Sequence, residues 1–176
     1  MSRAEDFKIE VSTIFEGLRL VMRGSITEES VFPPFPEGDP RRIVVELSQV
    51  TRLNSWGVRL WMKWLWDLEK AYPSATLQLE SCSPLLVQQL LVVRKFFPAN
   101  ARVRSVLLPY ACTSCSAEHQ QTFEAADPRL RRILQGGSST ILLRPCDECG
   151  SAMELEVNPK DYLKIFEKDS GTKAAA

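Results

Sequence analysis

The sequence predicts an α/β fold, a mixed sheet with helices packed on one side, followed by a small C-terminal β module built around cysteines. Three observations predict it. Short β-branched or alternating apolar runs recur up to Leu108. Two stretches between them carry apolar residues at helical spacing. After Leu108 the apolar runs thin out, and four of the five cysteines fall in two Cys-x-x-Cys pairs, Cys112/Cys115 and Cys146/Cys149.

Taken in order, Phe7 to Ser12 and Leu18 to Gly24 read as a β-hairpin turning at Phe15-Glu16-Gly17. Residues 32–40 hold four prolines, each removing a backbone donor and restricting the residue before it, so this stretch is a loop. Ile43-Val44-Val45-Glu46-Leu47 is a buried central strand, and Val50 to Leu53 leads on to a turn. A long helix starts near Asn54 or Ser55, either of which can cap it, and stops at about Tyr72 before Pro73. Its core stripe is Val58, Leu60, Trp61, Trp64, Leu65 and Leu68. Ala75 to Glu80 alternates as a strand, Ser83-Pro84 opens a second helix through Val93, and Arg102 to Leu108 is expected to form one further strand. The resulting order is β-β-β-α-β-α-β, which calls for a largely parallel or mixed sheet.

The two thiol pairs carry the chemistry. Each can hold one metal ion from a tight turn, and together they complete an all-sulfur tetrahedral shell of the closed structural kind, for which zinc is the default. The 30 residues between Cys115 and Cys146 leave room for an excursion, and Asp127 to Gly137 reads as a short helical turn ended by glycines. Iron–sulfur and redox chemistry are the alternatives; a redox pair wants one Cys-x-x-Cys at a helix start, whereas both pairs here sit among turn residues. Disulfides fit poorly, since the opening Met-Ser-Arg-Ala-Glu-Asp lacks an apolar signal region. Strands are expected at Gln121 to Glu124, Ile141 to Leu143 and Met153 to Val157, the ribbon of a zinc module. Gly150 after the last cysteine permits a positive φ. With so few large apolar groups, such a module would draw much of its folding energy from the metal. Cys82 reads as a half-buried core thiol, and His119, the only histidine, as exposed. The expected divisions are therefore 7–110, 111–157 and a terminal helix over 158–168 that docks back, with a fraying tail from Ser170.

Composition bounds the function. Lys+Arg and Asp+Glu both number 22, so no net basic field draws the chain to nucleic acid or anionic lipid, and the partners expected are proteins. Arg129, Arg131 and Arg132 could touch phosphate or an acidic partner, though such a run is more often a solvated helix face, and acidic Glu148, Glu154 and Glu156 around the second knuckle weigh against nucleic acid. No apolar run reaches the roughly 18 residues that would span a bilayer. The expectation is a chain of the reducing cytoplasm. No phosphate-cradling loop, nucleophile with a histidine base, or paired carboxylates appear, so a non-enzyme is expected.

The run Ile43 to Thr51 leading into Asn54-Ser55-Trp56-Gly57-Val58 resembles the STAS domain of anti-sigma-factor antagonists and sulphate-transporter tails, over roughly residues 7 to 110. The family pattern places Asp-Ser-Ser-Gly, or a close variant, at the helix start; here Asn54 replaces the aspartate and Trp56 the second serine. The resemblance implies Ser55 as the position of the phosphoacceptor, with a simple helix cap as the alternative role. It also implies a bacterial regulatory partner, a kinase, a sigma-factor regulator or another signalling protein, or else the ATPase of a transporter. A nucleic-acid-binding zinc protein is the third reading. Independently, Ser55, Arg59, Met62 and Trp66 are spaced to share a helix stripe displaced from the core, and Trp, Met and Arg are enriched where proteins meet. That stripe is the expected partner-binding face, unless Trp66 packs against the proline loop or the metal module.

Overall fold

The computed structural model describes residues 6–93 and 96–166. The tail from Ser170 and the last two residues of the expected terminal helix lie outside them. The hairpin forms as β1 (Lys8–Ile14) and β2 (Gly17–Ile26), paired antiparallel. Strands β3 (Arg42–Leu53), β4 (Thr76–Glu80) and β5 (Ala101–Val103) extend the sheet in parallel, in the order β1-β2-β3-β4-β5. Helices α1 (Ser55–Ala71) and α2 (Pro84–Val92) cross from β3 to β4 and from β4 to β5. Both crossovers step the same way along the sheet, so right-handed connections put both helices on one face.

That face is apolar because the strands alternate. Leu20 and Met22 of β2, Ile43, Val45 and Leu47 of β3, and Leu77 and Leu79 of β4 are all buried and meet Trp61, Leu65 and Leu68 of α1. On the opposite face, beside the buried Val44, Arg19 is held between Glu46 (3.2 Å) and Glu80 (3.1 Å). The β2-to-β3 connection, barred from helix by its prolines, lays Phe32 and Phe35 against Trp64, their ring centroids 5.2 and 5.8 Å away. The Tyr72 hydroxyl donates to the carbonyl of Pro36, tying the loop to the end of α1.

The strand expected over Arg102 to Leu108 is two strands. The amide of Arg104 donates to Leu79 of the first sheet, while its carbonyl accepts from Ala125, just past the last residue of a strand of the second, so the chain changes sheets at this residue. From there β6 (Ser105–Cys112), β7 (Glu118–Glu124), β8 (Arg144–Pro145) and β9 (Ala152–Leu155) form an antiparallel sheet in the order β7-β6-β9-β8. The boundary expected at residue 110 thus falls inside β6. Ile141 to Leu143, expected as a strand, lies mostly in a 3-10 helix over Ser139–Leu142, started by the Ser138 hydroxyl accepting the Thr140 amide. The excursion forms α3 (Pro128–Leu134), capped by Asp127, with Gly136 just beyond it at φ +95°.

The two sheets share one core. Cys82, fully buried, exchanges backbone hydrogen bonds with Ser105 and Leu107. The terminal segment, α4 (Pro159–Tyr162) and a 3-10 turn over Leu163–Ile165, packs against both α2 and α3. There the Tyr162 hydroxyl donates to the Leu107 carbonyl at 2.8 Å. Val106, Tyr110, Phe123, Ile133, Met153 and Leu163 belong to the same apolar cluster as the first sheet. The second sheet thus does not stand as a separate module: its apolar residues are buried in the cluster of the first.

Candidate functional site

The four cysteines converge. Cys112 ends β6, Cys115 follows in the turn before β7, and Cys146 and Cys149 occupy the turn between β8 and β9. Their sulfurs all lie within 4.8 Å of one another. Two contacts join one knuckle to the other, Cys112 to Cys149 at 3.5 Å and Cys115 to Cys146 at 3.7 Å. A tetrahedral ion with metal–sulfur bonds of about 2.3 Å requires sulfur–sulfur edges of about 3.8 Å. A disulfide would require about 2.05 Å. The spacing is that of ligands around a cation, and the four thiols are placed to hold one metal ion.

The knuckles are built alike. In the first, the Cys112 amide donates to Ala117 and the Ser116 amide returns to Cys112; in the second, Cys146 donates to Ser151 and Gly150 returns to Cys146. The residue after each second cysteine takes a left-handed backbone, Ser116 at φ +59° and Gly150 at φ +73°. Backbone amides turn inward as a result, with Ser114 donating to the Cys112 sulfur at 3.4 Å. Amides of Cys115 and Ser114 hold the Cys112 thiol below its ordinary range. Hydrogen bonds from the Ser151 hydroxyl and amide bring Cys149 down to about 6. The Ala117 amide draws Cys115 down, but the sulfurs of Cys112, Cys149 and Cys146 outweigh it and push that thiol up to about 12. Crowded thiols that favour one thiolate and oppose the next are the electrostatic setting in which a bound cation stabilises all four.

His119, expected as exposed, is three-quarters buried in its side chain, with Nδ1 3.8 Å from Asp147 in the second knuckle. Asp147 also accepts from Arg144 of β8 at 2.6 Å, which fixes that carboxylate within the second knuckle. Of the basic cluster, Arg129 is committed within the fold: it pairs with Asp127 at 2.7 Å and lies over the Phe123 ring at 4.9 Å. Arg131 and Arg132 are exposed on α3.

On α1 the structure brings Arg59, Met62 and Trp66 together in a shallow groove of about 430 Å³, lined also by Lys63, Asp67 and Lys70. Trp66 is 38% exposed, and it is Trp64, two residues earlier, that the proline loop packs. Ser55 is not among the groove residues. It is the exposed first residue of the helix, and Asn54 is the cap, accepting the Gly57 amide at 2.8 Å, so the capping role expected for Ser55 belongs to its neighbour. Asn54 in turn donates to Glu28 at 2.6 Å, which holds that carboxyl below its usual range. A phosphate added at Ser55 would meet both the favourable helix end and this nearby carboxylate. Trp56, 56% exposed, lies under the Arg59 guanidinium at 5.3 Å. Sequence reasoning left Trp56, Lys63 and Lys70 off the face, although each lies three or four residues from one of its members.

Among the described residues no helix is long and apolar enough to cross a membrane. Comparison of the chain with protein-family models, with curated proteins and with solved structures finds no match.

Proposed function

We propose that this chain is a non-catalytic, protein-binding adaptor: a STAS-like regulatory module whose second sheet is a zinc ribbon and whose partner contacts run along the outer side of α1. The observation that carries the reading is the groove, where Arg59, Met62 and the part-exposed Trp66 sit side by side on a helix whose other side is core. Large apolar and guanidinium side chains left at the surface in one line are what protein interfaces use as anchors. The metal supports the same reading. Four thiolates fill the tetrahedral preference of zinc and leave no position for water or substrate, so its role is to hold the knuckles. The partner expected is a signalling protein, a kinase or a sigma-factor regulator, in the cytoplasm of a bacterium.

The test pairs metal analysis with capture. Protein purified under reducing conditions carries one zinc per chain, and Arg59→Ala/Trp66→Ala protein, equally folded, loses a partner that the parent chain retains from a bacterial extract. Retention of every captured partner by the double variant would remove the α1 face from the proposal, and a metal-free parent chain would remove the zinc.

A further inference from the structure

We infer that the α1 groove receives an acidic protein segment carrying one bulky apolar side chain. This rests on the adaptor reading above and names the chemistry of its partner. Residues 59, 62, 63, 66, 67 and 70 form a continuous stripe over three helical turns, about 16 Å long. Its apolar part is Met62, packed beneath on the core, and Trp66, part exposed. An unbranched thioether beside an indole makes an adaptable seat for a single inserted side chain. Its charge is one-sided: Arg59, Lys63 and Lys70 stand against Asp67 alone. That carboxylate is already engaged, by Lys63 at 2.5 Å and Lys70 at 3.9 Å, and the Lys63 hydrogen bond holds its pKa low. Arg59 is steadied over Trp56 with its remaining donors available to a carboxylate.

Since the chain as a whole has no net charge, this excess of cations is local to the face. A polyphosphate chain or an anionic bilayer fits it less well. A phosphate chain would leave the apolar seat of Met62 and Trp66 unfilled, and a groove suits one inserted side chain better than a flat lipid surface. A peptide has both the carboxylates for the rim and the side chain for the seat.

The test uses the full-length, metal-loaded protein and a displayed library of random peptides, followed by the selected peptide made synthetically. The expected result is enrichment of Asp and Glu around a Leu, Phe or Trp. Affinity should fall at least about tenfold in Trp66→Ala and weaken with added salt. Lys63→Glu should lose the acidic peptide and gain its lysine-substituted counterpart, a charge-reversal rescue that a merely unfolded variant would not give. Selected peptides with no acidic bias, or indifferent to Trp66→Ala, would overturn the inference. Peptides that bind but cross-link away from α1 would overturn the groove while leaving an interaction protein. A library yielding no binders, together with no partner lost by the alanine variants, would remove the adaptor reading as well. Phosphatidylserine vesicles bound through Trp66, or a salt-sensitive dimer abolished by Trp66→Ala in sedimentation, would each put a different occupant in the groove and overturn the acidic segment.

Discussion

Replacing Gly57 with alanine sets two opposing effects against each other, and the structure says which wins. Gly57 lies in the first turn of α1, where glycine to alanine ordinarily stabilises a helix by up to about 1 kcal/mol. A Cβ built there would sit 2.0 Å from the carbonyl oxygen of Ile26 and 2.6 Å from its carbon. Ordinary contacts begin at about 3.4 Å, so the helix start and the end of β2 would have to part by more than 1 Å. Neither can withdraw easily. The Ile26 oxygen accepts the Asn54 amide, and Asn54 is itself the cap of α1. Overpacking of this kind costs on the order of 1–3 kcal/mol where flexible side chains can adapt, and the obstacle here is backbone. The net expectation is a loss of about 2 kcal/mol or more, which for a chain of this size lowers Tm by ~4–8 °C. Urea denaturation followed by tryptophan fluorescence reads it directly, because Trp61 and Trp64 are buried beside this helix–sheet contact. If the alanine variant proves as stable as the parent, or gains the increment expected of an ordinary helical glycine, the close seating of α1 on β2 is wrong.

Stripping the metal with a strong chelator, or replacing Cys112 with serine, should raise amide exchange across residues 105–155 while residues 42–80 keep their protection, since the first sheet keeps its own helices; equal loosening of both sheets by exchange mass spectrometry would contradict this. The matched left-handed positions of the knuckles should respond oppositely. Ser116→Gly relieves a strained backbone and should stabilise by up to about 1 kcal/mol, whereas Gly150→Ala should cost about that much in thermal unfolding of the metal-loaded protein. Burial and the charge of nearby Cys82 raise the pKa of Tyr162 above that of a free phenol, so its contribution to stability is complete below pH ~10, where both states hold the proton, and is lost as pH rises further, where the unfolded state ionises first. Tyr162→Phe should flatten that alkaline slope in pH-dependent denaturation while costing about 1 kcal/mol at neutral pH, because the Leu107 carbonyl loses its donor.

The legible parts of the chain are those governed by local periodicity and local chemistry. The hairpin, the central β-branched strand, the long helix ended before Pro73 and the shorter one opened by Pro84 all form where the pattern puts them. So do the two thiol turns, each a Cys-x-x-Cys followed by a left-handed residue, Ser116 in the first and Gly150 in the second. Less legible was Arg102 to Leu108. It reads as one strand because no glycine or proline turn residue interrupts it, yet Arg104 hands the chain from one sheet to the other through hydrogen bonds with Leu79 and Ala125, residues far away in sequence. Ile141 to Leu143 fails as a strand for a related reason: the Ser138 side chain offers the backbone a local alternative. The stripe on α1 was half legible. Helical spacing found Arg59, Met62 and Trp66, but only their neighbours in space decide that Ser55 stands apart and that Lys63 and Lys70 line the rim.

By itself the sequence determined the α/β pattern, the long helix and the two thiol pairs, because periodicity, proline and thiol spacing act within a few residues. The tertiary structure alone decided that the sulfurs of the two knuckles meet within 4.8 Å, and that the cysteine-bearing sheet shares its core with the first through Tyr162 and Cys82. Those outcomes depend on apolar surfaces from distant segments burying one another, and no local pattern specifies which surface a buried residue will meet.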